Sequence, residues 1–452
     1  MTRTPGHAYQ AITADGAALP LLSPAADSVP IAWWGGRAID RGTFLAHLRR
    51  VANCLPSMSY VVNLCQDRYL FLVAFAAAGL AGKTCLLPSS RVKAACDETV
   101  EAFLNSFSVD DLQVSGWLNG EGDRVGESTI PWLARDQEMA IAFTSGSTGH
   151  AQPHPKTWGE LHAGAWLAGR RFGFALKPGT TIVATVPPQH MYGLETSIML
   201  PLTMPVALHA GRPLFPSDVI ATLASVPAPR VLITTPAHLR VFAGFGGDWP
   251  ALALVISATA PLSRELATAA EAALAAPIME IYGFTEAGSV ASRRTVDGDS
   301  WMPYDGIGIK GDWLHAAHLP APVRLPDLVD VGTDGRFCLS GRRQDMVNVA
   351  GKRTSLSYLN RALTEITGIE DGAFVVPDQR RDGRFDLAAL VVAPTLTRGE
   401  ILNALAQRLD PLFLPRPLVL SDRMPRNDVG KLTREAVLDV VRAVTKRSGG
   451  GD

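Results

Sequence analysis

Thr144-Ser145-Gly146-Ser147-Thr148-Gly149, entered from the apolar run Met139-Ala140-Ile141-Ala142-Phe143, decides how this chain is read. An apolar run that gives way to small hydroxylic residues and glycine describes a strand opening into a loop. Gly146 and Gly149 permit positive φ and close approach of the backbone to a ligand. Backbone N–H groups, with the hydroxyls of Thr144, Ser145, Ser147 and Thr148, can donate to phosphate oxygens. A solvated Ser/Gly linker has the same composition, and no Gly-Lys-Ser/Thr closes the run as in the common nucleotide loop. The meaning of the loop therefore depends on its surroundings.

Around it, short apolar runs alternate with helical spacing. Helices are predicted over 44–55, 69–80, 158–172 and 263–275, and strands over 60–64, 84–88, 181–186, 231–233 and 252–256. The alternation predicts an α/β fold, with a large layered N-terminal domain built on parallel-type sheets. The pattern changes after Val329, where Thr333-Asp334-Gly335-Arg336-Phe337 reads as a β-turn between short strands. A small α+β unit follows, with helices over 357–367 and 398–409. The expected domains are 1–342 and 343–452.

A chain of 452 residues exceeds one ordinary core, which agrees with that division. A formal net charge of -1 gives no bulk attraction to nucleic acid or anionic membrane. The five cysteines are odd in number and form no CxxC pair, against a disulfide scaffold or zinc site and in keeping with a reducing cytoplasm. The N-terminus lacks the apolar core of a signal peptide. The most apolar stretch, 69–81, is too short for a membrane span and reads as a buried helix.

Three later segments give the loop its meaning. They are Glu280-Ile281-Tyr282-Gly283-Phe284-Thr285-Glu286, then Gly341-Arg342-Arg343-Gln344-Asp345 running on to Asn348-Val349-Ala350-Gly351-Lys352-Arg353, and finally Pro425-Arg426-Asn427-Asp428-Val429-Gly430-Lys431-Leu432-Thr433-Arg434. In order and spacing the four motifs resemble those of the adenylate-forming superfamily of acyl- and aryl-CoA ligases, luciferases and peptide-synthetase adenylation domains. The resemblance implies ATP and Mg2+ as cofactors. It also implies a small carboxylic acid activated as its adenylate, with acyl transfer to the thiol of CoA or an acyl carrier protein. The C-terminal domain would be mobile and would swing between the two half-reactions.

The resemblance assigns roles residue by residue. Thr144 to Gly149 would cradle the triphosphate, although Gln152 stands where the family carries a lysine, leaving Lys156 or His154 to supply charge. Glu286 would hold Mg2+ and Thr285 would donate to the α-phosphate. Tyr282 would pack on adenine, and Gly283 would leave room for the acyl group. Ser257-Ala258-Thr259-Ala260-Pro261 matches the adenine-side turn, with Ala258 and Thr259 in place of the usual glycines. Asp327, in a Leu-Pro-Asp-Leu setting, would accept from the ribose hydroxyls, and Arg342 would add a second ribose contact. Gln344 would be the hinge. Gly351 and Arg353 would face the entry of the thiol donor. Lys431 would be the catalytic cation, stabilising charge in the adenylating transition state.

Pro187-Pro188-Gln189-His190-Met191-Tyr192-Gly193 matches the segment lining the acid pocket, with His190 as the gate that meets the carboxylate. Amino-acid-activating relatives place an Asp just after this gate. Here Met191 stands there and Glu195 is off register, which argues against an α-amino acid. The expected walls are His190, Tyr192, Thr235, Ser257, Ala258, Ile281 and Gly283, a mixed apolar and hydroxylic set suited to a compact aromatic acid such as a hydroxybenzoate. A medium-chain or hydroxylated fatty acid is the alternative acid, and a non-catalytic nucleotide-binding protein the alternative function. The short chain also resembles the small ligases of aryl-polyene and xanthomonadin-type pigment pathways.

Overall fold

The computed structural model describes residues 16–24, 29–88, 91, 93–119, 129–145, 151–173, 177–342, 346–349, 352–377, 387–426 and 432–448. Its chain divides into two compact units, Met1–Gly308 with His315–Val323, and Ile309–Leu314 with Arg324–Asp452. The first carries a hairpin, β1 (Ala32–Trp34) and β2 (Arg37–Ile39), followed by α1 (Arg41–Cys54). After β3 (Tyr60–Asn63) comes α2 (Arg68–Leu80), capped by Asp67, whose carboxylate accepts from the N–H groups of Tyr69 and Leu70. Every residue of α2 from Arg68 to Gly79 is buried, which is why its sequence is apolar all round instead of on one stripe.

With β4 (Thr84–Leu87), β5 (Ser106–Val109), β6 (Glu138–Ser145) and β7 (Ala151–Thr157), β3 forms a five-stranded sheet in the order β5-β3-β4-β6-β7. All neighbours are parallel except β6 and β7. The two-residue period of the strands sends Val61, Cys85, Leu87 and Ala140 into the core around α2, and Val62, Leu86, Ile141 and Phe143 to the opposite face. No strand is predicted at β7, because Pro153 and Pro155 cannot donate to a ladder. The structure places β7 at the edge of the sheet, the position where such residues are tolerated.

Helix α3 (Trp158–Arg171) follows at once, held by a capping box between Thr157 and Glu160. The larger sheet then assembles from β8 (Thr181–Ala184), β9 (Ala207–His209), β10 (Arg230–Thr234), β11 (Leu254–Ser257), β12 (Ile278–Phe284), β13 (Gly288–Arg293) and β14 (Met302–Pro303). Its nine strands run β14-β13-β12-β11-β10-β8-β9-β1-β2. The six from β12 to β1 are mutually parallel, and the pairs at either edge are antiparallel. Val183, Leu232, Val255 and Ile278 pack on one face against helices that include α4 (Arg264–Leu274).

The second unit contains two small hairpins, β15 (Asp327–Val331) with β16 (Phe337–Arg342), and β17 (Met346–Val349) with β18 (Lys352–Ser355). Gly335, at φ +79°, makes the predicted turn between β15 and β16. Helix α5 (Leu356–Thr364) precedes a three-stranded sheet of β19 (Asp371–Val375), β20 (Ala388–Val392) and β21 (Leu418–Leu420). Phe374, Ala389 and Val391 face α5, while Val375, Ala388 and Leu390 face α6 (Arg434–Ser448). The predicted α/β fold, a large sheet-rich part and a smaller one, is the observed architecture. Among the described residues β15 and β16 pair with each other and α5 packs on β16, so this hairpin belongs to the second compact unit.

Candidate active site

The phosphate loop is flanked by a paired stem. Strands β6 and β7 are antiparallel, with Ser145 opposite Ala151 and Thr144 opposite Gln152. Thr144 and Ser145 are thus placed at the end of β6, while Gly146, Ser147, Thr148 and Gly149 lie outside the described residues. Along β7 the alternation puts Gln152, His154 and Lys156 on one face, exposed, half-buried and buried in turn. The Lys156 ammonium does not point to solvent. It donates to the backbone carbonyl of Glu286 at 2.6 Å. Burial pulls the Lys156 ammonium below its usual range against the carboxylates of Glu160, Glu195 and Glu286, and burial likewise lowers His154.

The carboxyl ends of β10 and β11 stand side by side, with Thr234 opposite Ser257, and Ser257 lies opposite Glu280 within β12. Ligands of open parallel sheets bind at such ends. Three of the expected acid-pocket residues gather here. The Tyr192 hydroxyl lies 3.0 Å from the carbonyl of Thr234 and 2.9 Å from that of Ile256, sharing its proton across β10 and β11. The residue is half-buried, and desolvation drives its pKa far upward. Thr235 pairs its hydroxyl with His238 Nδ1 at 2.9 Å. Ser257 is fully buried, and among the described residues its hydroxyl has no hydrogen-bond partner. His190 precedes the short helix Met191–Leu194 and is half-buried. Ala258 and Ile281 are buried beside these positions.

Gly283 and Tyr282 also make close contacts within the fold. Gly283 is required by its own hairpin, since a Cβ there would lie 2.4 Å from the carbonyl oxygen of Gly288. Tyr282 is buried in an aromatic group, its ring 5.6 Å from Trp301 and 6.3 Å from Phe284. Thr259, where the family favours glycine, sits at φ +82°. For a β-branched residue that conformation carries a cost of about 1–3 kcal/mol.

Thr285 and Glu286 occupy the turn between β12 and β13, half-buried and exposed respectively. Among the described residues, no group of three or more His, Cys, Asp or Glu could hold a metal ion. A single accessible carboxylate nonetheless suits Mg2+, which takes few protein ligands and completes its shell with phosphate and water oxygens. Glu286 would hold that ion, which supplies charge across phosphate oxygens when bound.

In the second unit, Asp327 and Arg342 are direct ladder partners at the ends of β15 and β16. The sequence separates these two expected ribose contacts, and the hairpin brings their backbones together. Arg353 lies in β18, while Gln344, Gly351 and Lys431 fall outside the described residues. On either side of Lys431, Arg426 and Leu432 form an antiparallel bridge, and Arg426 pairs with Asp371 at 2.7 Å.

Two carboxylates were not singled out as site residues from sequence. Glu280 is buried, ion-paired with Arg293 at 2.7 Å, and accepts from Thr295 at 2.5 Å and from the Leu262 N–H at 3.2 Å. It ties the turn that follows β11 to β12. Glu195 opens the π-helical segment Glu195–Met199 and accepts from the Ser289 hydroxyl and, at 3.1 Å, its N–H. Burial raises its pKa against those bonds and the Lys156 charge.

Known proteins resemble this chain in sequence and in fold. The family model described as AMP-binding enzyme matches residues 55–334. The 4-coumarate–CoA ligase of Rhodobacter capsulatus is 28% identical over 269 residues, covering 58% of this chain and 67% of that protein. The indoleacetate–CoA ligase of Aromatoleum aromaticum is 24% identical over 451 residues, covering 88% and 82%. Among solved structures, o-succinylbenzoate coenzyme A synthetase from Bacillus subtilis, in complex with ATP and a magnesium ion, superposes with a TM-score of 0.79. That match has 15% identity and covers 93% of this chain and all of the other.

Proposed function

The chain belongs to the AMP-binding enzyme family, and we propose that it joins a compact aromatic acid, such as a hydroxybenzoate, to a thiol. It is an AMP-forming acid–thiol ligase that uses ATP and Mg2+ and works through an acyl-adenylate. The choice of acid rests on one observation above all, the unpartnered Ser257 hydroxyl at the carboxyl end of β11. A buried hydroxyl without a partner suits a ligand that brings one. Tyr192 holds the neighbouring strand ends, Thr235 offers a hydroxyl just beyond β10, and Met191 leaves no carboxylate where a substrate ammonium would need one. The aryl acids named for two relatives, coumarate and indoleacetate, support the same class.

In this reading the Thr144–Gly149 loop binds the triphosphate, Glu286 holds Mg2+, Thr285 donates to the α-phosphate, and Asp327 with Arg342 binds the ribose. Ala258, Thr259 and Tyr282 border adenine. Lys431 supplies the cation for adenylation, Gln344 is the hinge, and Gly351 and Arg353 face the thiol donor. CoA is the proposed acceptor, with an acyl carrier protein as the second candidate, and a role in aryl-pigment synthesis follows from the resemblance to those small ligases. The test is acid-dependent pyrophosphate release with hydroxybenzoates, fatty acids and amino acids, each with and without CoA. Release with one hydroxybenzoate, accelerated by CoA, is expected. Release confined to fatty acids would replace the acid, and a single turnover despite CoA would replace the acceptor.

A further inference from the structure

The turn that carries Thr285 and Glu286 is gripped from inside the fold by two buried charged side chains of opposite sign. From β7, Lys156, only 4% exposed, donates to the Glu286 carbonyl at 2.6 Å. From the π-helical segment, Glu195, 5% exposed, accepts from both the N–H and the hydroxyl of Ser289. The fit at Gly288, between these two anchor points, is close. At φ +73° it presents its Cα to Glu195, and an added Cβ would stand 2.2 Å from Glu195 Oε1. Lys156, Glu195, Glu160 and His318 line one small cavity behind the turn, with the Nε2 of His318 buried and unpartnered.

The clasp joins three parts of the site. Lys156 belongs to the strand leaving the phosphate loop, Glu195 follows the acid-pocket segment by one helical turn, and the gripped turn bears the metal carboxylate. Lys156 also lies on the same face of β7 as Gln152, which replaces the family's loop lysine. A cation that reaches the phosphate region by bonding the Glu286 backbone has a different task from one that bonds phosphate. It fixes a carboxylate.

We propose that Lys156, together with Glu195, is a positioning residue for Glu286, holding the β12–β13 turn so that its carboxylate is set for Mg2+. The proposal rests on the reading of Glu286 as the metal ligand. It assigns Lys156 to the backbone of the turn and so answers which group takes over from the missing loop lysine: no direct substitute is needed for the turn to be placed.

The experiment measures ATP affinity by titration calorimetry, in Mg2+ and in EDTA, for the full chain and for Glu286→Gln, Lys156→Met and Lys156→Met/Glu195→Gln. The double variant removes both buried charges, so it keeps the fold neutral inside if the single variant does not fold. Glu286→Gln should lose most of the Mg2+ enhancement. Lys156→Met should lose about tenfold of it, as expected for a residue that orients a metal ligand, with affinity in EDTA unchanged. The double variant should retain that loss. Full enhancement in Lys156→Met or its recovery in the double variant, beside a loss in Glu286→Gln, overturns the proposal alone. Full enhancement in Glu286→Gln overturns the metal assignment and the proposal with it.

Discussion

Replacing Ser257 by alanine should raise the stability of the ligand-free protein and at the same time impair its use of a hydroxylated acid. The Ser257 side chain is fully buried at the end of β11, and its hydroxyl lacks a partner among the described residues. Burying a hydroxyl unpaired costs about 1–3 kcal/mol, whereas the alanine side chain differs by a single oxygen and leaves almost no void. A gain of about 1 kcal/mol on unfolding in urea is therefore expected for Ser257→Ala. The bound acid changes the sign. If its ring hydroxyl completes the missing hydrogen bond, the variant loses a contact worth about 1 kcal/mol, or roughly five- to tenfold in kcat/KM for adenylation. Benzoate, which has no such hydroxyl, is the control and should react with the two proteins alike. Urea unfolding followed by tryptophan fluorescence reads the first effect, and acid-dependent ATP–pyrophosphate exchange reads the second. A variant that is less stable, and that treats hydroxybenzoate and benzoate as the parent does, would refute the reasoning.

Other expectations are as direct. A methyl group at Gly193 would lie 1.9 Å from the Pro187 carbonyl oxygen, so Gly193→Ala should destabilise by about 1–3 kcal/mol and raise the KM for the acid by displacing His190 and Tyr192. Lys431→Ala should lower acid adenylation by about 10²–10³-fold at unchanged thermal stability, measured by pyrophosphate exchange; equal loss of stability and activity would count against a catalytic role. His162, buried beside Trp158, has its pKa lowered by burial, and secondarily by Arg135, from 6.5 to about 4. The unfolded chain takes up this proton between pH 6.5 and about 4 while the folded chain does not, so stability is full above pH 6.5 and falls as the pH drops through that window. The full effect is about 3 kcal/mol, and urea titrations of His162→Gln across the same range should show a shallower acid decline.

The sequence made the local elements legible because their signals are local. The all-apolar run of α2 and the Gly335 turn each involve residues within a few positions of one another. The strand that leads into Thr144 and Ser145 was legible for the same reason, as a short apolar run. Strand β7 was not, because its prolines argue against a ladder unless the strand is known to lie at an edge, and edge position is a property of the assembled sheet.

The buried charges mark a deeper limit of the same kind. Lys156 meets Glu286 across 130 positions of sequence, and Glu195 meets Ser289 across 94. Read alone, each looks like an ordinary surface residue, since lysine and glutamate are almost never buried unpaired. The sequence placed Glu195 off register for a substrate ammonium and gave it no other task. Its carboxylate is instead spent on the Ser289 N–H and hydroxyl, at the start of β13 just after the turn that carries Glu286. Charges taken out of water must be satisfied where they end up, so their partners show what the burial holds in place. Here the partners are the Glu286 carbonyl in the turn between β12 and β13 for Lys156 and, for Glu280, the Leu262 N–H at the end of the turn that follows β11. Both turns are thus fixed from beneath by ionic side chains whose role exists only once distant strands have been brought together.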